Sequence, residues 1–133
     1  MSAQTAGRVS AVYFDVNDVV EAGALIMRIR STEQAAGFTQ AQAALKEATA
    51  REAEAQTRYE RISDMYQRRV VAKATYDEAS AARDAAVARL IAARAGLDAA
   101  REGVAYTEIR APYSGVVTQK LVQVGEAVAP GTP

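Results

Sequence analysis

The two ends of this chain read as copies of one another. Residues 7–23 run G-R-V-S-A-V-Y-F-D-V-N-D-V-V-E-A-G, and residues 115–131 run G-V-V-T-Q-K-L-V-Q-V-G-E-A-V-A-P-G. Aligned without a gap, they share Gly7/Gly115, Val9/Val117, Val16/Val124, Val20/Val128 and Gly23/Gly131, and an acid recurs at Asp18/Glu126. Within each copy, short β-branched or bulky segments bounded by turn formers read as strands: Val9, Val12 and Phe14 in one, Val117, Leu121 and Val124 in the other. Asn17-Asp18 and Gly125-Glu126 fall where the chain reverses, because Asn and Gly tolerate positive φ and Asp caps a turn locally. A second strand follows in each copy, clearest over 24–29. Two such hairpins are expected to pair into a small sandwich that neither half can build alone. Structural turns are expected at Gly7, Gly23, Pro112, Gly115, Gly125 and Gly131.

The segment between the copies has a different period. It is rich in alanine and charge and holds neither Gly nor Pro over 39–95. Ser31 with Gln34 fits a capping box at a helix start, and Thr75 with Glu78 fits a second. Phe38, Leu45, Glu52, Tyr59 and Tyr66 take heptad position a of the first helix, and Ala41, Ala48, Ala55 and Ile62 take position d. In the second helix, Tyr76, Arg83, Leu90, Leu97 and Val104 are a, and Ala79, Ala86, Ala93 and Ala100 are d. A period of 3.5 sustained over about five heptads predicts an antiparallel coiled coil, with alanine letting the backbones approach closely. With a turn centred near Ala72 and Lys73, the expected layers are Leu45 with Ala100, Ala48 with Leu97, Ala55 with Leu90, and Tyr59 with Ala86.

The fold class expected is therefore α+β: a small split β-sandwich, residues 7–30 and 106–131, interrupted by a helical hairpin over 31–105 with its tip near 68–74. Helices of that length reach about 45–55 Å, so an elongated molecule is expected. Glu47/Arg51, Glu54/Arg58 and Asp64/Arg68 read as i,i+4 pairs on a solvated outer face. Glu52 and Arg83 fall on the seam, where they either set register or face another copy.

Composition narrows function. The chain has no Cys and no His, which removes the thiol nucleophile, the usual imidazole base and the commonest zinc ligands. No metal site, catalytic residue or cofactor is expected. Lys plus Arg and Asp plus Glu each number 16, a balance that gives no support to nucleic-acid binding. No apolar run has the length of a membrane span, and the opening residues lack a signal pattern. A targeting segment, if the protein has one, is expected to precede this sequence. Near the turn, Arg58, Arg61, Arg68, Arg69 and Lys73 outnumber Glu60 and Asp64, and Val70 and Val71 have no evident core to enter. Exposed valines ringed by basic residues mark a contact surface; the competing reading is a solvated loop with both valines folded back on the seam.

These residues resemble the periplasmic adaptor proteins, or membrane fusion proteins (the HlyD-like family), of tripartite efflux pumps. The pattern Gly7-x-Val9 through Val16-Asn17-Asp18-x-Val20-x-x-Gly23-x-Leu25 is similar to the first half of the family's lipoyl-like domain. Tyr106-Thr107-x-Ile109-x-Ala111-Pro112-x-x-Gly115-x-Val117 is similar to the second half. The resemblance implies a non-enzymatic adaptor whose hairpin tip meets a TolC-like outer-membrane channel through Arg61, Met65, Arg68, Arg69, Val70, Val71, Ala72 and Lys73. Resistance-nodulation-division adaptors carry Arg, then Leu four residues on, then Ser seven further on. Here those positions hold Arg61, Met65 and Ala72, so the serine hydroxyl is missing. The resemblance further implies a periplasmic location in a Gram-negative bacterium, inner-membrane anchoring and transporter contact through domains outside this sequence, and self-association, as a hexamer for the full-length protein. Alternatives are an adaptor of type I secretion or ABC-type export, a coiled-coil scaffold, and a lipoyl or biotinyl carrier. A carrier needs a modifiable lysine at a β-hairpin tip, and the lysines are Lys46, Lys73 and Lys120.

Overall fold

The computed structural model describes residues 1–133. The elements are β1 (Gly7–Val12), β2 (Val19–Val20), β3 (Leu25–Arg30), α1 (Thr32–Gln67), α2 (Lys73–Ala105), β4 (Glu108–Arg110), β5 (Gly115–Val116) and β6 (Ala127–Val128). The fold is α+β, a split β unit interrupted in sequence by two long helices. Met1–Phe38 and Ala100–Pro133 form one compact unit, and Thr39–Ala99 the other.

In the β unit the two chain ends interleave. One sheet has the order β4-β3-β1-β6 and the other pairs β2 with β5. Only β1 with β3 joins strands of the same half; β1 with β6, β3 with β4 and β2 with β5 all cross from one half to the other. The halves therefore do join in one β unit, as expected, but strand by strand rather than as one hairpin laid on another. The turn at Asp15 to Asp18 does form, closed by the Asp18 N–H on the Asp15 carbonyl at 3.1 Å. The strand that leaves it, however, pairs with the opposite half.

The repeat is written into the backbone ladder as an approximate two-fold. Asn17 N–H donates to the Val117 carbonyl and Val117 N–H to the Asp18 carbonyl; at the counterpart positions, Gly125 N–H donates to Val9 and Val9 N–H to Glu126. Gly23 N–H donates to Ala111 and Ala111 N–H to Ala24, while Gly131 N–H donates to Ala3 and Ala3 N–H to Thr132. The registers Val19 with Val116 and Val20 with Gly115 repeat as Ala127 with Arg8 and Val128 with Gly7. Carboxylates close both turns, Asp18 accepting from Asp15 N–H at 2.7 Å and Glu126 from Gln123 N–H at 3.0 Å. The symmetry begins at Ala3 and Ala111, both buried, earlier than the sequence repeat at Gly7.

Val9, Ile29, Val128 and Ala3 form the core, with Val12, Met27, Ile109 and Val122 packed against it. The second copy departs from the strands expected for it. Val117, Leu121 and Val124 lie outside regular strand, and Leu121 and Val124 are exposed. Only that copy's two short strands are paired in ladders, β5 with β2 and β6 with β1. Gly23, Gly125 and Gly131 turn the chain with φ of 84°, 93° and 90°, and Asn17 does so at 76°. Pro112 lies in a bend before β5. Gly7 and Gly115 open strands rather than turns. Gly7 is required for another reason: a Cβ there would meet the Arg30 carbonyl oxygen at 2.6 Å.

In the helical unit, every expected a and d position from 41 to 97 is buried or half-buried, which is the seam of an antiparallel pair. No residue of α1 is fully buried, while α2 buries Ala79, Ala86 and Leu97, because two helices alone cover one stripe of each other. The register differs from the expected one. Tyr59 meets Arg83 and Tyr76 rather than Ala86; Ala55 shares a groove with Ala86, and Leu45 with Leu97. Each partner lies about one turn nearer the loop, since the connection is 68–72 and α2 begins at Lys73. Arg83 is used inside the hairpin. Glu47/Arg51 and Asp64/Arg68 form ion pairs at 3.4 Å; Glu54/Arg58 does not. At the start of α1, Ser31 Oγ accepts from Gln34 N–H at 3.4 Å. The Gln34 side chain completes no box: it donates to the buried Thr5 hydroxyl, beside Gly103.

Gly7→Ala should overpack the β1–β3 contact and cost about 1–3 kcal/mol, whereas Gly115→Ala, with nothing within 4 Å of the added carbon, should be near neutral. Thermal melts of the two variants decide between close approach and turn geometry as the demand on Gly7. Ala86→Leu should likewise lose about 1–3 kcal/mol by chemical denaturation, because Ala86 is buried in the seam.

Candidate docking site

The loop between the helices is built by a specific helix ending. Arg69 N–H donates to the Tyr66 carbonyl and Val70 N–H to the Met65 carbonyl, both at 2.9 Å, the paired bonds of a Schellman motif. That motif places one residue in left-handed conformation, a position usually held by glycine. Here it is Arg69, at φ 61°. After a short crossing, the Ala72 carbonyl accepts from Thr75 and Tyr76 N–H at 3.1 and 3.3 Å, so Ala72 holds the cap position of α2. The expected box at Thr75 and Glu78 therefore lies within the helix: α2 starts two residues earlier, at Lys73.

Around this loop, Arg61, Arg68, Arg69, Ala72 and Lys73 are exposed, and Met65 is half-buried. Val70 is 66 % exposed while Val71 is partly folded in, so the two valines divide between the contact-surface and folded-back readings. Arg68 is neutralised by Asp64. Arg61, Arg69 and Lys73 have no carboxylate within 4 Å.

Behind the loop stands a polar aromatic stack. Tyr66 and Tyr76 stack with centroids 4.8 Å apart, Tyr76 and Tyr59 share a hydrogen bond of 3.2 Å, and the Arg83 guanidinium lies 4.0 Å over the Tyr59 ring. The shared bond moves the two phenols apart, Tyr59 below and Tyr76 above the usual tyrosine value. Asp84 hydrogen-bonds Arg83 and raises its pKa. The sequence placed all four residues on the seam; that the tyrosines stack follows from aromatics at the seam positions flanking the loop on both helices. The left-handed Arg69 had no sequence signal, because only Gly and Asn announce that conformation. Chemically, the loop offers cations, an exposed valine and an aromatic wall. That is equipment for binding. No cluster of carboxylates that could hold a metal ion occurs, and no helix is long and apolar enough to cross a membrane.

Comparison with known proteins places this arrangement. The family model described as RND MFP, barrel-sandwich hybrid domain, matches residues 1–133. Among solved structures, MacA from Actinobacillus actinomycetemcomitans superposes with a TM-score of 0.80 at 26% identity, over 95% of this chain and 43% of that one. A MacA-MexA chimeric protein containing the Pseudomonas aeruginosa MexA alpha-hairpin domain gives a TM-score of 0.63 at 27% identity, over 99% and 42%. ZneB from Cupriavidus metallidurans shares the fold, with a TM-score of 0.69 at 20% identity, over 97% and 55%. The chain thus spans about half or less of the length of these proteins. A sequence search of curated proteins gives no match.

Ala72→Ser adds a side-chain acceptor at the cap position for the first-turn N–H groups of α2 and should stabilise the hairpin by about 0.5–2 kcal/mol. Urea melts of the two forms test this; an unchanged midpoint would mean that the loop keeps a serine hydroxyl away from α2.

Proposed function

The chain belongs to the RND-type membrane fusion proteins, and on that premise we propose that it serves as a periplasmic adaptor linking an inner-membrane transporter to a TolC-like outer-membrane channel for efflux of drugs or other small molecules. The interleaved β unit forms an ordered base within the adaptor. The antiparallel helices, of 36 and 33 residues, set a distance, and the 68–72 loop docks on the channel. The observation that carries this reading is the loop itself. Arg61, Arg69 and Lys73 stand without carboxylate partners around an exposed Val70, a surface suited to a partner that supplies both acid and apolar contact. The adaptor is non-enzymatic: energy and direction come from the transporter. It works in the periplasm of a Gram-negative cell, anchored at the inner membrane through parts outside this sequence, and assembles with further copies around the pump axis.

A photocrosslinker at Lys73, in cells expressing the adaptor from its native locus, should capture an outer-membrane channel. Arg61→Asp should abolish that product and raise drug sensitivity while leaving helicity unchanged. Full complementation of a deletion strain by the Asp variant would remove the docking assignment.

A further inference from the structure

Arg69 is the least economical residue in the loop. It occupies the left-handed position of the Schellman motif, where glycine removes the Cβ penalty and asparagine lowers it. Only two non-glycine residues have positive φ, and the other is Asn17, one of the types that tolerate it. A strained conformation persists where the surroundings impose it, and it points to a use for the side chain it carries. Left-handed backbone re-aims the Arg69 side chain relative to its helical neighbours. Together with Tyr66, Gln67 and Val71, Arg69 lines a concave surface at the loop. One wall is rigid, because Tyr66 is stacked on Tyr76 and Tyr76 is hydrogen-bonded to Tyr59. The guanidinium is not neutralised from within, in contrast to the adjacent Arg68, which Asp64 engages.

We propose that this concavity receives a carboxylate side chain of the outer-membrane channel, with Arg69 as its fork-shaped donor. The backbone strain at residue 69 is retained because glycine would remove that donor. The inference rests on the docking reading above and deepens it by naming the chemistry of the partner. Planar, two-point recognition of a carboxylate is the property that separates Arg from Lys at such a site.

Arg69→Gly and Arg69→Asn test it. Both relieve the left-handed backbone, so both should raise the melting midpoint of this chain by roughly 2–5 °C. In cells, with the photocrosslinker at Lys73, both should cut the channel product by roughly tenfold or more, and Arg69→Lys should recover only part of it. The crosslinked channel peptide should contain an Asp or Glu whose exchange for Arg restores the product of an Arg69→Glu adaptor. More stable Gly and Asn variants that crosslink as well as the parent, while Arg61→Asp fails, would overturn the role of Arg69 and leave the docking reading standing. If the parent chain itself gives no channel product from Lys73, the docking reading falls. Gly and Asn variants no more stable than the parent would overturn the strain argument.

Discussion

The rest of the β unit depends on backbone hydrogen bonds exchanged between two segments far apart in sequence. Ala111 is bonded both ways to Gly23 and Ala24, and Ala3 both ways to Gly131 and Thr132. Val9 and Val117 each bond across the opposite turn. Neither half has enough strand to satisfy its own polar backbone, and short pairs such as β2 with β5 are marginal in isolation. Closing so long a loop has an entropic cost. Antiparallel helices offset it by returning the chain, and Gln34 beside Gly103 shows the start of α1 and the end of α2 adjacent within the β unit.

In the helical unit, the same economy explains the alanine-rich seam. A pair of helices buries only one stripe on each, so small residues at alternate seam positions allow close approach without a large core. The seam tyrosines concentrate toward the loop, where Tyr59, Tyr66, Tyr76 and Arg83 join stacking, hydrogen bonding and a cation–π contact. In the proposed docking role, this stacking would spare the affinity lost when a loose loop is ordered on binding.

How much of this was legible in the chain varies with the kind of interaction. Heptad phase was legible: alanine and bulky residues at a 3.5 spacing identify which residues face the partner helix. Register was not, because the same stripes slide past one another by a turn with little change in pattern, and the outcome hung on where α2 begins. The turns at Gly23, Gly125 and Gly131 were legible from residue type. Gly7 was singled out for a turn, yet its demand is the Arg30 carbonyl passing close by. The structural role of Ala3 and Ala111 was not legible, because a buried alanine in a two-way hydrogen-bonded link leaves no compositional mark.

By itself the sequence determined the two-part organisation, the repeat, the helical seam and the basic character of the loop, all of which follow from local periodicity and residue type. Tertiary structure decided which half pairs with which, the register of the helices, and the left-handed conformation of Arg69. Those depend on contacts between residues distant in sequence, or on backbone geometry at one helix end, where several arrangements satisfy the same local preferences and only packing and hydrogen bonding select one.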